Sequence, residues 1–355
     1  MMAGNEKLEF VEKEKMNANE KTVLEITEIQ EIMSHFGRSV QKMTNFYDTS
    51  RNDDDQRLNY ILDDQYVLKI NSTATMWETR LQEIHRLISR YRSIGVYCPA
   101  LIPALDGTLS YAWQNDGKEY TCFVEEYAKY PVLGWGKEHD HKEIIEHLGV
   151  LASKYTGIDL SETKSMWSII DLAPLDVEID EKQENTNALT EALRKNGYDD
   201  LADQVDSLNT MMREKIKAVF SDLPRCVYQG DLNNTNTLHK DGHFAGLIDF
   251  NMAGTEVNIN VFLNETNRFP EETEFDSLSV EEMIAKQDAE QEAELAVILR
   301  HYTLSDIEKY AFPYYKRIVT LFQYPNVCAM IEWLSSDARK AKCVGLIKTL
   351  VEKAL

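Results

Sequence analysis

Apolar positions along this chain follow two rhythms. In the first third the alternation is mainly that of strands. Residues 39–47 alternate loosely, residues 48–56 are polar and read as a loop, and residues 57–62 and 65–70 flank Asp63-Asp64 as a β-hairpin. Residues 75–93 switch to helical spacing. Leu81, Ile84, Leu87, Ile88 and Tyr91 make one stripe, which ends at Gly95. Residues 109–113 and 120–125 predict two further strands around the turn Asn115-Asp116-Gly117. Residues 1–22 are mostly charged and predict a flexible arm or a leading helix.

Past Tyr127 the pattern becomes helical over 142–154, 187–195, 201–220 and again over 280–355, with one compact strand pair around Asp241-Gly242. The layout predicted is α+β and bilobal: an arm over 1–22, a small β-rich lobe over 23–126, and a larger, mainly helical lobe over 127–355. No internal repeat is visible.

Composition narrows the function classes. Of 355 residues 43% are hydrophobic, with 15 Gly and 8 Pro, which suits globular domains and excludes low-complexity chains. The formal net charge of −22 opposes a phosphate backbone, so a nucleic-acid partner is not expected. No apolar run approaches the roughly 20 residues that span a bilayer, and the charged start lacks the apolar stretch of a signal peptide, so no membrane partner is expected. Cys98, Cys122, Cys226, Cys328 and Cys343 are odd in number and scattered, which fits free thiols in a reducing cytoplasm better than disulfides or a zinc site.

The chemistry is concentrated between Cys226 and Asn251. Asp241-Gly242, set between Thr237-Leu238-His239 and the run from Phe244, is a strong hairpin signal. A two-residue turn there puts Asn236 opposite Leu247. Leu247 and Asp249 share parity, so Asn236 and Asp249 fall on one face as diagonal neighbours, roughly 7–8 Å apart at Cα. An amide oxygen and a carboxylate converging in this way suit one hard cation such as Mg²⁺, which takes oxygen ligands and usually substrate phosphates too. Asp231 precedes Asn236 on the same loop, within reach of a substrate hydroxyl beside that metal. Any one of these residues alone is an ordinary turn residue. Their joint placement points to a site.

Asp-x-x-x-x-Asn, then a hydrophobic strand and Asp-Phe, is the pattern of kinase catalytic and metal-binding loops. Gln229-Gly230-Asp231 to Asn236, followed by Gly246-Leu247-Ile248-Asp249-Phe250, resembles the aminoglycoside phosphotransferase and choline kinase family. The resemblance is specific over this segment and looser across residues 40–265. Gln229 stands where that family usually has His. Asn258 and Asn260 stand where it often has an Asp after the metal-binding one.

The resemblance implies a protein-kinase-like two-lobed fold, Asp231 as the catalytic residue, Asn236 and Asp249 on Mg²⁺, and ATP or GTP as co-substrate. It implies that Lys69, in Tyr66-Val67-Leu68-Lys69-Ile70, faces the α- and β-phosphates, with Val67 on the same sheet face against the adenine. A carboxylate on the following helix would hold that lysine. Periodicity does not separate Glu78 from Glu83, while Gly95-Val96-Tyr97-Cys98-Pro99, similar to the family's Gly-x-x-x-Pro, favours Glu83. Residues 120–127 resemble the connection between the lobes, with Glu125 C=O and Tyr127 N–H at the adenine edge; a merely buried strand is the other reading. In the loop 48–56 Ser50 would touch a phosphate, and Asp53-Asp54-Asp55 either point outward or mark altered nucleotide use. The expected function is phosphoryl transfer from a nucleoside triphosphate to a hydroxyl of a small acceptor. The acidic runs Glu271 to Glu274 and Glu290 to Glu294 suit a cationic acceptor, such as an aminoglycoside or a choline-like compound, or are solvated faces. The alternatives are a nucleotide-binding pseudokinase and a helical interaction protein carrying a chance motif. Oligomeric state is not legible.

Overall fold

The computed structural model describes residues 23–52, 55–115, 117–133, 141–174 and 176–354. The expectations for residues 1–22, for Asp53 and Asp54 and for the turn position Asp116 lie outside the described residues. The chain divides into two compact units. One takes the chain up to Glu78 together with Leu101–Tyr127, and the other takes Thr79–Ala100 together with Ala128–Leu355.

The first unit is built on six strands: β1 (Met43–Asp48), β2 (Arg57–Leu62), β3 (Tyr66–Ser72), β4 (Leu101–Ile102), β5 (Tyr111–Asn115) and β6 (Lys118–Glu126). Their order is β1-β2-β3-β6-β4, with β5 also on β6, and every pairing is antiparallel. The β2–β3 hairpin turns through Asp63 and Asp64 at φ of 52° and 54°, the left-handed pair that follows strand twist and that Asp tolerates. The Asp63 carboxylate also accepts the N–H groups of Gln41 and Lys42 at 2.9 and 3.0 Å, which pins the chain entering β1.

Alternation sorts β3 as its sequence predicts. Leu68 and Ile70 enter the core with Tyr60, Leu62, Cys122 and Val124, leaving Val67 and Lys69 on the other face. The helix α1 (Ile26–His35) covers the core face through Ile29, Ile32 and Met33, continued by Phe36. It lies in a stretch to which the sequence reading assigns no element.

The second unit holds α2 (Glu78–Ser93, all but its first residue), α3 (His141–Tyr155), α4 (Glu181–Lys195), α5 (Asp199–Lys217), α6 (Asn258–Glu265), α7 (Glu272–Ser277), α8 (Val280–Leu299), α9 (Asp306–Phe322), α10 (Tyr324–Ser335) and α11 (Lys340–Glu352). The predicted helices are present with shifted ends. α4 begins well before residue 187 because Asp180 caps it, accepting Gln183 N–H at 3.1 Å while binding Arg213 of α5 at 2.7 and 2.8 Å. Ser279 and Ser305 cap α8 and α9 in the same way. Two short ladders complete the unit: β7 (Arg225–Tyr228) with β10 (Gly254–Val257), and β8 (Thr237–Lys240) with β9 (His243–Leu247). Among the described residues no helix is long and apolar enough to cross a membrane.

Candidate active site

The two ladders frame two loops. Residues 229–236 leave β7 and enter β8, and residues 248–253 leave β9 and enter β10. Pairing of Tyr228 with Gly254 and of Thr237 with Leu247 fixes both ends of each loop.

The hairpin register departs from its prediction. Near the turn Lys240 faces His243 and His239 faces Phe244, but a bulge then makes Leu238 pair with Gly246 and Thr237 with Leu247. Asn236 is therefore level with Ile248, whose N–H donates to Asn236 O at 2.9 Å, not with Leu247. The cause is Tyr97. Its N–H takes the carbonyl of the bulged Ala245 at 3.1 Å, and its carbonyl accepts Leu247 N–H at 2.8 Å. Gly246 permits this approach, since a Cβ there would lie 2.0 Å from Tyr97 O. In this register Asn236 and Asp249 do not share a strand face, because a one-residue slip reverses the face. Asp249 is aimed by its backbone instead, at φ 54°. Its carboxylate accepts Asn251 N–H at 3.3 Å.

Asp231 and Asn236 do come together. Asn236 Nδ2 donates to Asp231 Oδ2 at 2.7 Å and to Asp231 O at 3.1 Å, while Asn233 Nδ2 donates to Asp231 Oδ1 at 2.8 Å. With Nδ2 committed in this way, Oδ1 is the atom of Asn236 suited to a cation.

The residues that hold Asp231 in place were not singled out as functional from sequence. Gln229, fully buried, accepts Asp231 N–H on Oε1 at 2.7 Å and donates Nε2 to the carbonyls of Asp249 (2.6 Å) and Ile248 (3.1 Å). One amide thus joins the loop of Asp231 to that of Asp249. Its own N–H donates to the Tyr91 hydroxyl of α2 at 3.3 Å, and the Tyr91 ring packs edgewise on Phe250. Trp167 donates its indole N–H to Gly230 O. Gly230 sits at φ 81°, and a Cβ there would meet Met252 O at 2.6 Å. The Trp167 segment is anchored by Glu256, which accepts the hydroxyls of Ser165 and Ser168 at 2.7 and 2.8 Å and whose carboxyl burial pushes up. Asn258 and Asn260 serve packing: Asn258 bonds Tyr228, Thr156 and Tyr302, and Asn260 bonds Trp167 O. Glu265, at the end of α6, has its carboxyl pushed up to about 8 by burial and then by the Asp231 charge, with Arg268 opposing.

In the first unit Lys69 is buried and its ammonium lies 3.2 Å from Glu125 Oε2. The β3–β6 register pairs Val67 with Glu125 and Lys69 with Phe123, so Glu125 is the diagonal neighbour of Lys69. That contact was legible in the alternation of the two strands. Glu78 accepts Leu109 N–H and the Ser110 hydroxyl, at 2.6 Å for the latter, and Glu83 accepts Glu162 N–H at 2.6 Å. Tyr127 N–H, expected at an adenine edge, donates instead to Gln65 O at 2.8 Å and extends the β3–β6 ladder. Glu125 is in register with β4 as well as β3. Ser50 Oγ accepts Arg57 N–H at 2.9 Å. Asp55 points into its own loop, held by both ends of the Arg57 guanidinium at 2.7 and 2.8 Å.

Asn236 and Asp249 present hard oxygen donors. Among the described residues no group of three or more His, Cys, Asp or Glu is placed to hold a metal. A donor set of two side chains, completed by phosphates and water, fits Mg²⁺ better than an all-protein cage would. Most of the acidic runs are occupied internally: Glu272 pairs with Arg339, Glu274 and Glu290 with Lys286, and Glu294 with Arg268.

No curated protein matches the sequence. Among solved structures, an amicoumacin kinase in complex with AMP-PNP, Ca²⁺ and Ami is similar with a TM-score of 0.51 and 12% identity, over 97% of this chain and 96% of that one. A microcompartment-associated aminopropanol kinase is similar with a TM-score of 0.48 and 14% identity, over 92% and 95%. The first likeness shows the fold, a kinase-like one with a β-rich first part and a larger helical part. Residues 50–256, more than half of the chain, match the model of the phosphotransferase enzyme family. The chain belongs to that family and is a phosphotransferase.

Proposed function

We propose that this protein is a small-molecule kinase transferring the γ-phosphoryl group of ATP to a hydroxyl of a small cationic acceptor, an aminoglycoside or a choline-like amino alcohol. The observation that carries the reading is the bracing of Asp231. Its carboxylate is held by Asn236 and Asn233, and its backbone is tied through Gln229 to Asp249. Asp231 orients the acceptor hydroxyl and takes its proton as the oxygen bonds to the γ-phosphorus, the β,γ-bridging P–O bond breaks and ADP leaves. Asn236 Oδ1 and the Asp249 carboxylate would hold Mg²⁺, which supplies charge neutralisation to the phosphates. Lys69 is assigned the α- and β-phosphates on the family pattern, supported by its buried ammonium in the sheet unit, which serves the nucleotide. A cationic acceptor is supported by the net charge of −22. The buried free thiols of Cys98, Cys122, Cys226 and Cys343 support a reducing cytoplasm.

The test is Asp231→Asn. Nucleotide titration should stay within a few-fold of wild type while diphosphate release with the best acceptor falls roughly 10²-fold or more, the scale of a positioned base. Equal rates would remove Asp231 from the mechanism. Loss of nucleotide binding together with rate would make it a metal ligand or a structural residue.

A further inference from the structure

We infer that a cleft among α8, α9 and α11, in the helical unit, is a binding site for a small dianion, phosphate or a phosphate monoester. The cleft has a volume of about 130 Å³, several times the roughly 15 Å³ that one water requires. Arg268, Lys316, Arg317 and Lys353 line it, and Asp288 is the one carboxylate residue in its lining. In a protein of net charge −22 this is a local reversal of sign.

The charges are incompletely compensated. Lys316 and Lys353 share Asp288, the first at 3.0 Å. Burial opposes its ionisation, but the two ammonium hydrogen bonds outweigh it and hold the carboxyl below the usual carboxylate range. Arg268 pairs with Glu294. Arg317, buried, donates to the terminal carbonyls of α11 at Leu350, Lys353 and Ala354. Among the described residues, four cations here stand against the paired carboxylates of Asp288 and Glu294, a local excess of positive charge that a bound anion offsets.

A second observation is independent of charge. Gln291 lines the same cleft and is only 4% exposed, yet its Nε2 finds no hydrogen-bond partner among the described residues. Buried amide donors are normally satisfied, and a turn of the Gln291 side chain toward the cleft it lines would bring this one to an acceptor oxygen. Lys316, Lys353 and Gln291 together offer two ammoniums and an amide donor, the set that a phosphoryl group accepts from. None of these residues belongs to the loops of Asp231 and Asp249.

Calorimetric titration of the full chain with sodium orthophosphate, at low chloride, tests this. The expected result is one saturable site in the millimolar range or tighter that weakens as salt is raised. Lys353→Ala, at an exposed position, and Gln291→Leu should each weaken binding about tenfold. Asp288→Asn should tighten it several-fold by releasing both lysines, a gain that a purely structural role does not produce. Asp249→Asn should leave it unchanged. A parallel titration with glycerol phosphate separates the sources: tighter binding of the monoester indicates a phosphorylated metabolite, and tighter binding of orthophosphate indicates the free anion. Absence of saturable binding overturns the proposal. So does binding that ignores the Lys353, Gln291 and Asp288 variants, or binding lost in Asp249→Asn, which would place phosphate at the catalytic loops.

Discussion

Replacing Gln229 by Leu removes the amide that joins the loops of Asp231 and Asp249 while keeping a side chain of similar size. Three hydrogen bonds are lost: Asp231 N–H at 2.7 Å, Asp249 O at 2.6 Å and Ile248 O at 3.1 Å. Gln229 is fully buried, so water does not readily take over these partners. An unpaired buried polar group costs about 1–3 kcal/mol. Counting the two short bonds in full and the longer one weakly, the variant should lose about 2–5 kcal/mol, a large share of the roughly 5–15 kcal/mol of a typical domain. Urea unfolding followed by tryptophan fluorescence reads that loss as a lower midpoint. Turnover should fall further than the folded fraction explains, roughly tenfold or more, because the Asp231 backbone is no longer held. Gln229→His, the residue usual in the family, is the control. A neutral imidazole has one donor and one acceptor, so it can replace at most two of the three bonds, and it should cost about 1 kcal/mol with most activity kept. Once protonated it has no acceptor for Asp231 N–H, so its turnover should also decline below about pH 6.5, where wild type gains no such dependence from Gln229. An unchanged urea midpoint with turnover within twofold of wild type in the Leu variant would refute the bracing argument.

Two further outcomes follow from charge. Lys69→Ala should weaken nucleotide binding about tenfold or more, while stability falls by no more than about 2 kcal/mol, since Glu125 lies partly exposed and can take water in place of the ammonium; unchanged nucleotide titration would make the Lys69–Glu125 pair purely structural. Glu265 titrates up at about 8, from an ordinary value of 4.5, so the folded state holds an extra proton between these values and stability falls as pH rises from about 5 to 8. Glu265→Gln should flatten that contribution by a few kcal/mol in urea unfolding at pH 5 and pH 8, and the same change in stability between the two pH values in wild type and variant would contradict a raised Glu265 carboxyl.

Much of the fold is legible because alternation and helical spacing both act through burial, which a single sequence displays. The β2–β3 hairpin is the clearest case. Asp63-Asp64 marks the turn, and Leu68 and Ile70 take the core side as their parity requires. α1 is the instructive omission. Ile29, Ile32 and Phe36 carry helical spacing, but the helix is short and follows a charged segment, and its stability comes from lying on a sheet assembled from residues far along the chain. The ends of α4 were hidden for a related reason. The Asp180 cap is reinforced by Arg213, more than a helix away, and no local pattern announces that pair.

At the site, residue types were legible where geometry was not. Asp231, Asn236 and Asp249 announce themselves by spacing, yet only a regular hairpin places Asn236 and Asp249 on one strand face. Tyr97 breaks that regularity from a different part of the chain, by taking the carbonyl of Ala245 and leaving a bulge. Asp249 is then aimed by a left-handed backbone, which costs an Asp less than most residues. The same distance in sequence explains Gln229. Read along the chain, it is a departure from the family's His at a position with no chemical duty. In three dimensions its amide offers a donor and an acceptor at once, which an imidazole matches only in its neutral form, and both ends are used. Substitution at a bracing position is therefore judged by counting the donors and acceptors the site requires. By that count Gln229 suits two loops whose joined geometry is independent of pH, and the substitution by itself is no sign of a lost activity.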